Sequence, residues 1–207
     1  MPLASCLRQL CLGLLIGAAG TAQAFEECQL NVSEPLLDFG LMSRLAQSDS
    51  APQRLLGERR LSVTVSCPQA EDLSLFYRAQ AASPQRWQFT EHGSYAIEVS
   101  NALLDGRAVE LGVLPAVGQA PVATGSVLQW RPDHGIAPVE RGTVLTGKTL
   151  ALQMSLRAWA DPAATQVRDA TTWEVSGMLY GAHHGRYREL TLRAHFAPIA
   201  CLPSLSD

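Results

Sequence analysis

Most of what would mark this 207-residue chain as a catalyst or a nucleic-acid binder is missing from it. It has no run of Lys or Arg and a formal net charge of only −3, so it lacks the clustered positive field that a polyanion partner requires. Neither a G-x-S-x-G elbow nor a glycine-rich phosphate loop is present. Carboxylates are scattered, with no spacing that sets a general acid beside its base. His183 and His184 are adjacent, so on a strand they face opposite ways and cannot easily share a metal ion. Gly181 and Gly185 place that pair at a loop tip. His92, His134 and His195 have no Cys, Asp or Glu at ligand spacing on a shared element. No catalytic residue, metal site or cofactor is therefore expected. Internal repeats and low-complexity tracts are also lacking. Past residue 24, no apolar stretch approaches the ~20 residues that a membrane-spanning helix needs.

What is present begins with a leader. Arg8 precedes an apolar run over residues 11–19, and the small residues Ala22, Gln23 and Ala24 follow. That order reads as a secretory signal peptide over residues 1–24, cleaved after Ala24. Its apolar core is too short to span a bilayer, and neither Cys6 nor Cys11 follows that core as a lipid-modified cysteine would. The mature chain, residues 25–207, is long enough for one sizeable domain. It keeps three cysteines, Cys28, Cys67 and Cys201, in a compartment where disulfides persist. A bond between Cys28 and Cys67 closes a loop of roughly 40 residues and contributes on the order of 3–4 kcal/mol on the chain-entropy model. Three fates stay open to Cys201: a free thiol, a bond to another chain, or competition for one of the other two cysteines.

Strand signals outnumber helix signals. Leu61, Val63, Val65 and Cys67 alternate with polar residues, and Leu73 to Ala79 behaves similarly. Further strands are predicted at 87–89, 95–99, 108–113, 127–130, 150–158, 173–179 and 190–196, separated by turn-formers such as Asp105-Gly106 and Asp161-Pro162. Short strands at this spacing predict an all-β sandwich of immunoglobulin-like type. Residues 41–56 read as a polar loop, and 116–125, flanked by Pro115 and containing Pro121, as a second loop. Of the four tryptophans, Trp159 and Trp173 lie in apolar alternating runs and read as core. Trp130 ends a strand, so Trp130, Arg131, Asp133 and His134 form the candidate ligand loop, although packing ranks ahead of binding even for Trp130.

The segments Leu30-Asn31-Val32-Ser33-Glu34-Pro35-Leu36-Leu37-Asp38-Phe39-Gly40 and Leu61-Ser62-Val63-Thr64-Val65-Ser66-Cys67-Pro68, with Gly93-Ser94-Tyr95-Ala96-Ile97-Glu98-Val99 later, resemble subunits assembled into fimbriae by the chaperone-usher pathway. The resemblance spans most of the mature chain through short elements. It implies a pilin-like sandwich that lacks its last strand, with a Cys28–Cys67 disulfide joining the first two strands. A sandwich of that kind exposes an apolar groove that a donated strand must fill. Leu190, Leu192, Ala194 and Phe196 would be this chain's contribution to the strand-acceptor groove. The implied partners are a periplasmic fimbrial chaperone, an outer-membrane usher and other fimbrial subunits. The implied route is export to the periplasm and then the cell surface, for assembly and adhesion without catalysis.

Two departures from that pattern shape the expectation. Only Phe25, Glu26 and Glu27 precede Cys28 in the mature chain, which predicts a poor strand donor and so a tip or accessory subunit. After the last strand a tail over residues 197–207 runs on, either unstructured or folded back to complete the sandwich. The alternative to a fimbrial subunit is a self-complete exported sandwich that binds a carbohydrate or protein ligand. A hydrolase on a β-scaffold is the least supported reading.

Overall fold

The computed structural model describes residues 27–42, 53–162, 169–182 and 187–196. Among them every regular element is a strand. In chain order the first eight are β1 (Gln29–Val32), β2 (Leu36–Met42), β3 (Arg54–Asp72), β4 (Leu75–Arg78), β5 (Ala81–Ser83), β6 (Arg86–Thr90), β7 (Gly93–Leu104) and β8 (Arg107–Ala108). Then come β9 (Glu110–Leu114), β10 (Ala123–Gly125), β11 (Val127–Trp130), β12 (Gly135–Glu140), β13 (Thr143–Val144), β14 (Thr146–Ala160), β15 (Thr171–Gly181) and β16 (Tyr187–Phe196).

Two-residue periodicity decides which face each strand buries. In β14, Leu150, Leu152, Met154, Leu156, Ala158 and Ala160 all point inward. In β7, Tyr95, Ile97 and Val99 are buried, but beyond them the buried residues are Ala102 and Leu104. Asn101, at φ 53°, accounts for the change of parity, because the extra residue there coincides with a register shift against β14. One sheet runs β1-β3-β14-β7-β6-β5, with β11 and β8 also on β7; the other runs β10-β9-β12-β4-β15-β16-β2, with β13 on β12. With β3, β14 and β7 as strands B, E and D, and β4, β15 and β16 as C, F and G, this is the immunoglobulin-like order. The sequence-based expectation of an all-β sandwich holds.

The two inner faces meet over an aromatic cluster. Tyr77 on β4 and Tyr95 on β7 join hydroxyls at 2.9 Å across the sandwich. Trp87 stacks on Tyr95 and meets Tyr77 edge-on, while Phe89 lies edge-on to both Tyr95 and Trp173. Such pairs contribute roughly 0.5–1.5 kcal/mol each beyond area burial. Burial pushes the Tyr77 phenol up to about 12 and raises that of Tyr95 further. Gly177 on β15 makes room for this arrangement, since a Cβ there would overlap the Tyr77 hydroxyl.

The strands predicted from alternation fall on β3, β4, β6, β7, β9, β11, β14, β15 and β16, with 73–79 overrunning β4 at both ends and 108–113 starting ahead of β9. Several features differ from expectation, among them the short strands β5 and β13 and the end of β2 at Met42, inside the segment 41–56 read as loop. β3 begins at Arg54, inside the segment read as loop, and β10 forms within 116–125. β12 went unforeseen because Gly135 to Val139 is buried at every position and so shows no alternation.

Candidate functional site

The first strand is divided between the sheets. β1 pairs antiparallel with β3 in one sheet, and β2 crosses to the other, where it pairs parallel with β16. Cys28, just ahead of β1, is bonded to Cys67 of β3. This is the pairing the resemblance implied.

The predicted strand-acceptor groove is filled by the chain itself. β16 has β15 antiparallel on one side and β2 parallel on the other, so the last strand among the described residues already occupies the position that an incomplete sandwich leaves vacant. Leu190, Leu192, Ala194 and Phe196 are buried in the common core rather than lining an open trough. Phe196 packs on Trp173 at 4.3 Å between ring centroids. The correction has a physical cause, because alternation identifies the inward residues of β16 but does not say what pairs with its edges.

Polar contacts run along the outside of that seam. His195 Nε2 donates to Asp38 Oδ2 at 3.2 Å, and its Nδ1 lies 3.0 Å from the Thr172 hydroxyl. The Gly40 amide donates to Asp38 Oδ1 at 2.7 Å. That amide, helped by His195, holds the Asp38 carboxyl below the usual carboxylate range. Arg188 Nε donates to the Leu30 carbonyl at 2.8 Å, tying β16 to β1 in the opposite sheet.

At the candidate ligand loop, Trp130 is fully buried and its indole N–H donates to the His134 carbonyl at 2.8 Å. His134 Nδ1 in turn lies 2.8 Å from the Pro132 carbonyl. Arg131 and Asp133 are exposed, with Asp133 at φ 61°. Trp130 therefore pins the turn from inside and offers no surface to a ligand. Trp159 departs from expectation in the opposite direction. Its neighbours Ala158 and Ala160 point inward, so Trp159 stands half-buried on the outer face, with the Arg86 guanidinium 4.2 Å from its ring centroid.

Around Trp159 the outer face of the first sheet is hollowed. β7 is flanked by β6 up to Tyr95 and by β11 from Ile97 onward, so Ala96 sits where the flanking strand changes. Its short side chain forms a floor among longer neighbours. Gln85, Arg86, Glu98, Gln129, Arg157 and Trp159 enclose a cleft of about 220 Å³ that also reaches Ser155. Gln129 Nε2 donates to the Gln85 carbonyl at 3.0 Å and closes one end. Arg157 pairs with Glu58 at 2.9 Å, which lowers the Glu58 carboxyl and raises the guanidinium. Sequence reasoning missed this cleft. The one available signal was parity along 150–160, which turns Ser155, Arg157 and Trp159 outward together.

The one grouping with metal-ligand chemistry among the described residues is Cys28, Cys67 and Glu71, and the disulfide consumes both thiolates. His183, His184, Cys201, the leader and the tail after Phe196 lie outside the described residues. No helix among the described residues is long and apolar enough to cross a membrane.

Fold and seam together define an immunoglobulin-like sandwich closed by its own β16, the last strand among the described residues. No protein-family model matches the chain, and no curated protein does. Among solved structures it is similar to the CupB6 tip adhesin from Pseudomonas aeruginosa, with a TM-score of 0.49 and 13% identity. The match covers 84% of this chain and 44% of that one, so the chain spans less than half of that protein's length.

Proposed function

We propose that this chain is an exported, non-catalytic subunit of a chaperone-usher fimbria, serving adhesion or an accessory role rather than repeating along the fibre. The observation that carries the reading is the seating of β16 between β15 and β2. The position that a repeating subunit leaves for a donated strand is taken here by the chain's own. Support comes also from the Cys28–Cys67 bond at the divided first strand and from the fimbrial resemblance of the segments around it. On this reading residues 1–24 are the leader and residues 25–207 form one sandwich domain. The chain would pass the periplasmic chaperone and the usher and reach the cell surface beside other fimbrial subunits.

Two measurements test it. Exported to a bacterial periplasm without added chaperone, the chain should be a soluble monomer that unfolds cooperatively. Aggregation relieved by a donor-strand peptide would remove the closed-seam part of the reading. Antibody labelling of the native host's surface should vanish when the usher is deleted. Labelling that persists would remove the fimbrial part and leave a self-complete exported sandwich that binds its ligand alone, a reading the closed seam also favours.

A further inference from the structure

The cleft over Ala96 is walled by two guanidiniums, Arg86 and Arg157, and one carboxylate, Glu98. Glu58, just outside it, does not cancel Arg157, because it is shared: Oε1 accepts from Arg60 Nε and Oε2 from Arg157 Nε, each at 2.9 Å. Arg60, Arg86 and Arg157 thus stand against Glu58 and Glu98, which leaves one positive charge over. Both cations of the cleft also keep unused donors. Arg157 has its Nε on Glu58, and no described residue accepts from its Nη atoms. Arg86 lies over the Trp159 indole, 4.2 Å from the ring centroid, with Nη1 on Gln53 Oε1 at 2.6 Å and Ser94 Oγ at 3.5 Å. The indole covers the face of that guanidinium and fixes its plane, so what it presents is the in-plane edge of Nε and Nη2, which suits a carboxylate. The Glu98 carboxylate accepts no hydrogen bond from a described residue.

Strand register sets the order of these charges. Trp159, beneath Arg86, is opposite Ser94; Arg157 is opposite Ala96; Ser155 is opposite Glu98. Successive rows are two residues apart, roughly 6.4–6.8 Å. Along the strands the cleft therefore runs from the cation Arg86, past the cation Arg157 beside the short Ala96 side chain, to the anion Glu98. Glu58 and, through space, Glu98 raise the Arg157 guanidinium, which places Glu98 within electrostatic reach of it. A phosphate or a single carboxylate would leave Glu98 facing an anion, a dicarboxylate would bring nothing for Glu98, and a neutral molecule would leave both guanidiniums without a counter-ion. An acidic α-amino acid matches all three groups and the net charge: it carries a carboxylate at one end, and a second carboxylate beside an ammonium at the other. Pockets for drug-sized ligands run to roughly 300–1,000 Å³, so a cleft of about 220 Å³ suits a free amino acid rather than a peptide.

We propose that the cleft over Ala96 binds a free acidic α-amino acid, glutamate or aspartate, in its zwitterionic form. Arg86 donates to the side-chain carboxylate, Arg157 donates to the α-carboxylate, and Glu98 accepts from the ammonium. The site stands on the cleft alone and holds whether or not the chain is carried on a fibre.

The test uses the mature chain with L-glutamate and L-aspartate, and three molecules that each lack one charged group of glutamate: glutarate without the ammonium, L-glutamine without the side-chain carboxylate, and γ-aminobutyrate without the α-carboxylate. Amide and indole resonances are followed by NMR up to about 20 mM ligand at one fixed low ionic strength, because exposed charges are screened by salt. Glutamate or aspartate should shift the Ala96, Glu98 and Ser155 amides and the Trp159 indole, and each of the three lacking a group should bind about tenfold more weakly. Ala96→Gln fills the floor of the cleft and should abolish the shifts with the melting temperature unchanged. Glu98→Gln should weaken glutamate about tenfold and tighten glutarate, a crossover that mere loss of structure cannot produce. No shift with either acidic amino acid, glutarate binding the native chain as tightly as glutamate, shifts that survive Ala96→Gln, or Glu98→Gln weakening glutamate and glutarate alike would each overturn the proposal.

Discussion

The two halves of the chain's first strand are held in different ways. β1 lies against β3 in one sheet, and beside it Cys28 is covalently bonded to Cys67. β2 lies against β16 in the other sheet with no covalent bond, secured by Leu37 and Phe39 in the core and by an exposed Asp38–His195 pair. The difference shows which forces close the sandwich. The disulfide restricts the unfolded chain, whereas the seam between β2 and β16 exists only while its inward side chains stay buried. The polar pair on the outside contributes little, because about half of each partner faces water.

The sharpest way to break this comparison is to charge the seam from inside. Leu192→Asp places an unpaired carboxylate where the native side chain is wholly buried, and should cost more than about 4 kcal/mol. Urea titration should find it unfolded or aggregated, while Leu41→Asp on the exposed side of β2 should be nearly neutral. Next, replacing Cys28 and Cys67 together by Ala should cost about 3–4 kcal/mol on the loop-entropy model and leave the sandwich intact. If that double variant opened the β2–β16 seam as well, the two fastenings would not be independent.

A smaller effect belongs to the phenols that bridge the sheets. Tyr77 and Tyr95 both have raised folded-state values, so the unfolded chain releases protons first as pH rises. Stability should therefore fall above about pH 10, by roughly 2–3 kcal/mol from Tyr77 alone as pH reaches the folded value of about 12. Tyr77→Phe should flatten that alkaline limb of a melting-temperature profile. Smallest of all is Asp38→Asn. The Asp38 carboxyl is depressed in the fold, so its contribution is present above the unfolded carboxylate range and is lost as pH falls through the folded value. At neutral pH the substitution should cost less than about 1 kcal/mol. A loss there comparable to that of the disulfide variant would reverse the ranking of the two fastenings.

Sequence legibility followed burial geometry. Strands with one wet face, such as β3 and β14, announced themselves by alternation, and the bond between Cys28 and Cys67 lay close to the strands it joins. β12 did not, because both its faces are covered and Pro138 interrupts it. The seam was illegible because the parallel pairing of β2 with β16 joins residues such as Asp38 and His195 from opposite ends of the chain. The tryptophans give the clearest lesson. Trp130 shares parity with Leu128 and packs inward, while Trp159 lies out of phase with Leu156's run of buried even-numbered neighbours and faces outward. The apolar run around Trp159 misplaced it in the core, where parity alone would have turned it outward, whereas for Trp130 packing already ranked ahead of binding.

The cross-link also fixes how the chain carries tension. A pull entering ahead of Cys28 passes through the sulfur bridge into β3 at Cys67, and the residues between them, separated by 39 positions, lie off the load path. β1 and β2 are then slack passengers, and β2 becomes an unstressed splint alongside β16, the strand that takes the pull from the other end. Stretched to rupture, the oxidised chain should lengthen by roughly 130 Å less than the reduced one, at about 3.3–3.6 Å per residue, because the bridged loop never pays out.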